Sequence, residues 1–419
     1  MSKAILVGID LQSQETPLWT IEHSLEELSE LARTADIEVV GQLTQLRNTP
    51  HRKHYIGSGK LEELKDFIKE KEATIILTDD ELSPMQSRTL EKECEIKILD
   101  RTGLILDIFA ARAQTAEAQL QVELAQLEYM LPRLTRMWTH LSRLGGGIGT
   151  RGPGEKQLET DKRLVRKRIT FIKKKLEQVQ SSRILRRKKR KEVPVVCGAL
   201  AGYTNAGKST ILNKITEASV LAEDKLFATL DPTSRRFKLP NNQETILTDT
   251  VGFIQKLPHQ LVKAFFSTLE EVTEADYIIH VVDVSHPNLS GMLSTTESII
   301  KSLHADNIPM LYVFNKIDRV AKPNKIKKEL EALQPQIFIS ALEKNGIQSL
   351  LNAINDMLES YQEEMAFSIP YNQMDIVNLI YQYGQVLDIQ YDNDYIKMKA
   401  IINRIKGARI INQLYKETN

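Results

Sequence analysis

Residues 202 to 210, Gly-Tyr-Thr-Asn-Ala-Gly-Lys-Ser-Thr, come almost directly after the β-rich run VPVVCGAL and before the helix-forming stretch ILNKI. Neither one helix nor a hairpin accommodates that succession, because Gly202 and Gly207 break regular structure while the flanks demand a strand and then a helix. The pattern is GxxxxGK[ST] in a strand-to-helix setting, so the chain must contain an α/β unit built round a phosphate-binding turn. The backbone N–H groups of Gly202, Tyr203, Thr204, Asn205, Ala206 and Gly207 are expected to curl round phosphate oxygens at a helix N-terminus. Lys208 is expected to reach the β and γ phosphates and the Ser209 hydroxyl to coordinate Mg2+, with Thr210 closing the motif.

Residues 193–364 keep the same rhythm, with TILTDT, YIIHVVDV, MLYVFNK and QIFIS separated by helix-like stretches. This predicts a doubly wound sheet with ligand loops at its strand ends. A phosphate loop alone does not choose its nucleotide, and later motifs do. Asn315-Lys316-Ile317-Asp318 follows the apolar run MLYVF. A carboxylate at Asp318 accepts from both N1–H and the 2-amino group of guanine, a donor pair that adenine does not offer. Asn315 would brace the loop and contact the base, the Lys316 stem would cover one face of the ring, and Ser340-Ala341-Leu342 would supply an N–H to guanine O6.

Asp249-Thr250-Val251-Gly252 is a DxxG sequence in which Asp249 holds Mg2+ through water and the Gly252 N–H senses the γ phosphate. Upstream, Phe227-Ala228-Thr229-Leu230-Asp231 is the candidate first switch. Thr229 can present its hydroxyl and carbonyl to Mg2+ and the γ phosphate; that choice rests on position, with Thr233 as its rival. Lys208, Thr229 and Gly252 form the candidate catalytic set, and Ser209, Thr229 and Asp249 the candidate metal set. Phe253 stands where a water-orienting glutamine would follow DxxG, and a phenyl ring cannot position water by hydrogen bonding. Two accounts stay open: Phe253 packs the switch, or intrinsic hydrolysis is slow and awaits help in trans.

Lysine plus arginine number 56 against 55 acids, a net charge of +1. That balance hides a division, since residues 1–130 hold 14 basic and 24 acidic groups, residues 131–192 hold 20 and 5, and residues 193–419 hold 22 and 26. Residues 1–103 alternate short β-rich and helical runs and read as an N-terminal α/β subdomain. Over residues 104–192, Leu120, Leu124, Leu127, Leu131 and Leu134, then Val165, Ile169, Ile172, Leu176 and Val179, recur at heptad spacing. Those stripes predict an antiparallel helical hairpin, kinked or ended near Pro132, whose connection GGGIGTRGPGEKQ is too glycine-rich for helix. Fifteen basic groups with one acid in residues 162–191 suit phosphate contacts, with Arg143, Arg151, Arg163, Arg166, Arg168, Lys173 and Arg186 as candidates. Residues 365–419 read as a small α+β domain.

Two cysteines, Cys94 and Cys197, offer no disulfide framework or metal-ligand spacing. The N-terminus lacks the apolar core of a secretory signal and no run reaches the roughly 20 apolar residues of a bilayer span. The expected setting is cytoplasmic, with at most loose membrane association through the basic segment.

The phosphate loop, DTVG and NKID, together with HLSRLGGGIGTRGPGEKQLETDKRLVRKRI, LFATLDPTSRR and LTDTVGFIQKLPHQLVKAFFSTLEE, resemble the HflX family of the Obg-HflX superfamily of translational GTPases. The resemblance runs along essentially the whole chain and is weakest over the last 55 residues. It implies a Mg2+-dependent enzyme converting GTP and water to GDP and phosphate, stimulated by the ribosome. It also implies binding to the large ribosomal subunit through the hairpin and GTP-dependent splitting of stalled or idle ribosomes, and such binding favours a monomer. Two further classes stay open on the residues alone, a nucleotide-dependent RNA remodelling enzyme, which could use ATP, and a membrane-surface GTPase. GSGK at 57–60 is not a second phosphate loop, because His54 stands where glycine is needed and Leu61 where Ser or Thr is needed.

Overall fold

The structure is a computed structural model and describes residues 2–12, 18–134, 153–191, 195–216, 226–256 and 271–416, without the side chains of 153–158, 180, 182–191, 405 and 415–416. It divides into two compact units, one of residues 1–179, 223–231 and 254–267, the other of 180–222, 232–253 and 268–419.

In the first unit, β1 (Ser2–Leu11), β2 (Ile37–Arg47), β3 (Ile75–Thr78) and β4 (Lys97–Asp100) form a sheet in the order β2-β1-β3-β4, and every pairing is parallel. The crossovers are α1 (Ile21–Thr34), α2 (Ser58–Lys71) and α3 (Pro84–Cys94), at the positions that helix-like periodicity predicts. Their starts are chemically marked: Thr20 accepts from His23 N, and Ser83 with Gln86 forms a reciprocal capping box ahead of Pro84. Asp100 ends β4 and caps α4 (Arg101–Arg112) by accepting from Gly103 N at 2.8 Å. Ile5, Val7, Leu64, Ile76 and Ile98 build the core.

Next come α5 (Ala116–Arg133) and α6 (Pro153–Lys191). Pro132 lies inside the last turn of α5, which ends one residue later. The heptad residues face the protected side: Leu124 and Ile172 are buried, and Leu120, Leu127, Val165, Ile169 and Leu176 are half-buried. Arg168 donates to both carboxylate oxygens of Glu123 at 2.6 and 2.8 Å, and Lys173 pairs with Glu128 at 2.8 Å.

The second unit carries β5 (Val196–Gly202), α7 (Lys208–Thr216), β6 (Thr233–Lys238), β7 (Glu244–Asp249), β8 (Tyr277–Asp283), α8 (Leu289–Ser302), β9 (Met310–Asn315), α9 (Pro323–Glu329), β10 (Gln336–Phe338) and α10 (Lys344–Glu359). The six strands lie in the order β10-β9-β8-β5-β7-β6, parallel except that β6 runs antiparallel to β7. The antiparallel edge strand is an addition to the sequence reading. Its residues TSRRFK bury only Phe237 among exposed charges, so they carry a weak apolar signal, and Thr233 is its first residue.

The same unit continues into β11 (Gln362–Pro370), α11 (Met374–Tyr383), β12 (Gly384–Tyr391), β13 (Tyr395–Asn403) and α12 (Arg404–Lys416). These strands form an antiparallel sheet, β11-β13-β12. The closing helix α12, absent from the sequence reading, sets Ile410 and Leu414 against the sheet. Among the described residues no helix is long and apolar enough to cross a membrane.

Candidate nucleotide-binding site

Strand β5 lies between β7 and β8, with Leu200 opposite Asp249 and Gly202 opposite Val281. That register brings the phosphate loop and DTVG together at the carboxyl ends of parallel strands. Ser209 Oγ donates to Asp249 Oδ2 at 2.6 Å, and Thr250 Oγ1 donates to Leu200 O at 2.6 Å. Lys208 is buried and its Nζ donates to Gly202 O at 3.0 Å and Tyr203 O at 2.8 Å. Burial pushes its pKa down to about 8, with the Asp249 charge acting in the opposite direction.

Two glycines are required by this packing. Gly207 has φ +98°, and a Cβ there would strike Asn315 Nδ2. At Gly252 a Cβ would lie 2.7 Å from Thr204 Cα and 3.0 Å from Lys208 Nζ. Phe253 N donates to Gly202 O at 3.0 Å and Thr204 N to Phe253 O at 2.8 Å, so this residue splices the two loops through its backbone. Its ring, 1% exposed, packs with Ala199, Ala201, Ile278 and Ile300, a burial that fits both accounts of this residue.

At the other edge, Asn315 Nδ2 donates to Ala206 O at 2.9 Å while its Oδ1 accepts from Ala341 N at 2.9 Å. One side chain therefore ties the phosphate loop, NKID and SAL together. Lys316 Nζ reaches Asn205 O at 2.8 Å, and Ile317 N donates to Ile339 O at 3.2 Å. Asp318 lies exposed on a short 3-10 turn, Ile317–Arg319. Ser340 and Ala341 are buried and Leu342 is 67% exposed. Three motifs far apart in sequence thus converge on one strand end.

Family models described as GTP-binding GTPase N-terminal, GTP-binding GTPase Middle Region and 50S ribosome-binding GTPase match residues 22–110, 112–190 and 198–316. "GTPase HflX" of Caldanaerobacter subterraneus subsp. tengcongensis is 48% identical over 95% of this chain and 90% of its own length. The chain belongs to the HflX GTPase family. "GTPase HflX" of Lacrimispora saccharolytica is 46% identical over 96% of this chain and 93% of its own. That of Escherichia coli is 44% identical over 85% and 84%. The chain is accordingly a GTP-hydrolysing enzyme.

The remaining predicted residues of this HflX-family chain lie in its first unit. Phe227, buried and at φ 55°, meets Phe109 edge-on with centroids 4.5 Å apart. Leu230 is buried too, while Ala228 and Thr229 are half-buried. Asp231 Oδ2 accepts from Gln114 N at 3.1 Å and Thr115 N at 3.2 Å, and its Oδ1 from Thr115 Oγ1 at 2.5 Å. Thr115 is the N-cap of α5, so the end of the first-switch segment braces that helix's start. Just after Phe253, Gln255 Nε2 donates to Ser24 Oγ at 2.8 Å. Lys256 Nζ pairs with Asp79, and with Asp80 at 2.6 Å; Asp79 also holds buried Arg101 at 2.6 Å.

Among the candidate RNA contacts, Arg163 and Arg166 are exposed on α6, while Arg168 and Lys173 are engaged by Glu123 and Glu128. Arg143, Arg151 and the Arg186 side chain lie outside the described residues. Sequence reasoning passed over Gln255, Lys256 and His280. The last is buried in β8, where desolvation, then the Lys208 charge, lowers its pKa to about 3 and keeps the ring neutral.

Proposed function

We propose that this HflX-family GTPase is a Mg2+-dependent enzyme whose nucleotide state governs attachment to the large ribosomal subunit and, through it, the splitting of stalled or idle ribosomes. The observation that carries the reading is the 2.6 Å contact between Ser209 and Asp249, beside Lys208 and Gly252. A hydroxyl and a carboxylate make a hard-oxygen pair of the kind that Mg2+ selects, with waters completing its shell. Ser209 would ligate the ion directly, Asp249 through water, and Thr229 by hydroxyl and carbonyl, and the ion they hold would supply neutralisation of phosphate charge. Lys208 would bind the β and γ phosphates and the Gly252 N–H the γ phosphate. Asp318 would select guanine through paired acceptors, with a backbone N–H of the Ser340-Ala341-Leu342 turn toward O6. Phe253 offers no group to orient water, so hydrolysis is slow until the ribosome supplies help.

Exposed Arg163 and Arg166, with the tip residues Arg143 and Arg151, would contact ribosomal RNA. Residues 1–103, 104–192, 193–364 and 365–419 would act as four functional segments of a cytoplasmic monomer. The description of a matched model as a 50S ribosome-binding GTPase supports the partner. The decisive experiment sediments intact ribosomes with the protein and a non-hydrolysable GTP analogue. Co-sedimentation with the large subunit and release of free small subunits are expected; migration independent of nucleotide and of ribosomes would sink the proposal.

A further inference from the structure

NKID and SAL leave one charged residue at the same strand end without a role. Strands β8 and β9 are parallel with Asp283 opposite Asn315, and Val284 N donates to Asn315 O at 3.1 Å. The residue after Asn315 therefore emerges beside the Asp283 carboxylate. There Lys316 Nζ meets Asp283 Oδ2 at 2.7 Å while donating to Asn205 O at 2.8 Å. The two side chains are only 16% and 12% exposed, so the charges attract in a setting where water screens them weakly. The other carboxylate oxygen is spoken for: Asp283 Oδ1 accepts from Ser285 N at 3.0 Å and Ser285 Oγ at 2.6 Å. Lys316 itself sits at φ 63°, ψ 32°, a left-handed conformation that a side-chain-bearing residue adopts only when held.

A lysine stem has four freely rotating carbons, and an ammonium anchored at one point leaves most of them disordered. Here the ammonium is held between a P-loop carbonyl on one side and a doubly braced carboxylate on the other. We propose that Asp283 is a positioning residue for guanine recognition: by pairing with Lys316 it fixes the lysine stem as an ordered apolar wall for the base and keeps Asn205 tied to the NKID turn. The inference rests on the reading of NKID as the base site. Asp283 touches no reacting atom, so its effect falls on nucleotide affinity and not on turnover.

The test measures GDP affinity, and KM and kcat for GTP, on the full-length chain with four variants: Asp283→Asn, Asp283→Glu, Lys316→Met and the double Asp283→Asn/Lys316→Met. Asp283→Asn is expected to weaken GDP binding and raise KM about tenfold, with kcat unchanged within about twofold, and Lys316→Met to weaken GDP binding at least as much. The double variant should be no weaker than Lys316→Met alone, since a residue that acts through another has nothing left to position. Asp283→Glu, which keeps the charge, should recover part of the loss and serves as the readout if the asparagine variant does not fold. Additive losses in the double variant, or equal falls in kcat and affinity, would show Asp283 to be merely structural. Asp318→Asn is the parallel control, expected to shift preference from guanine toward xanthine nucleotides. If it does so while Asp283→Asn leaves affinity unaltered, only the present inference is overturned. If Asp318→Asn leaves base preference unchanged, the base-site reading fails and this inference with it.

Discussion

Lys208 is the charged side chain most thoroughly enclosed by the phosphate loop, and its two carbonyl partners are groups that a phosphate would compete with for the same ammonium. Lys208→Ala is expected to weaken GTP binding by tenfold or more, measured by calorimetric titration; wild-type affinity would count against the site. Gly207→Ala should act by crowding: the new methyl meets the Asn315 amide at a backbone angle that disfavours side chains, so both stability and nucleotide binding should fall. At the far end of the chain, buried Lys406 donates to Gln243 Oε1 at 3.1 Å, and burial, reinforced by Arg409, lowers its pKa to about 8. A lysine whose folded pKa lies below its unfolded value opposes folding most fully below pH 8, and that opposition fades as pH rises toward the unfolded value near 10.4. Melting temperatures between pH 8 and 10 should therefore fall less steeply for the wild type than for Lys406→Met. Parallel curves would refute the assignment.

Elements inherit their boundaries from such residues. Helix α5 begins at Thr115, whose Oγ1 accepts from Ala118 N at 3.1 Å while Asp231 braces the residues just before it. Asp231→Ala removes an acceptor from three donors and should destabilise the start of α5 by about 1 kcal/mol. Faster amide hydrogen exchange around residues 114–118 is the expected signature, and unchanged exchange would mean that Asp231 is incidental there. The basic face of α6 divides in the same residue-by-residue way. Arg168 and Lys173, heavily exposed but paired with glutamates, contribute little to folding at such a surface, and their charge toward RNA is partly offset. Arg163→Glu and Arg166→Glu should accordingly weaken ribosome binding more than Arg168→Glu, as pelleting assays at fixed salt would reveal.

For the molecule as a whole, a net charge of +1 understates a chain whose basic groups gather in residues 131–192. Binding to ribosomes through phosphates releases counterions, so affinity should fall steeply and log-linearly with salt; a shallow dependence would point instead to protein contacts. GTP turnover should rise when large subunits are added, given a site in which Phe253 is a core residue.

The phosphate loop, DTVG, NKID and the βα rhythm were legible from the chain alone, because each depends on near neighbours: glycine where φ is positive, apolar period, capping residues, motif spacing. HflX membership was legible for the same reason. Distant pairings decided the rest. That the Phe253 ring fills a core depends on Ala199, Ile278 and Ile300, and the partner of Asp231 is a helix start more than a hundred residues earlier. The partner of Lys316 follows from the register of β8 against β9. Edge strand β6 and helix α12 were missed because one is a charged strand with a single inward phenyl ring and the other draws its burial from a sheet assembled before it. Local sequence sets which conformations are cheap, and only the assembled sheet determines which side chains meet.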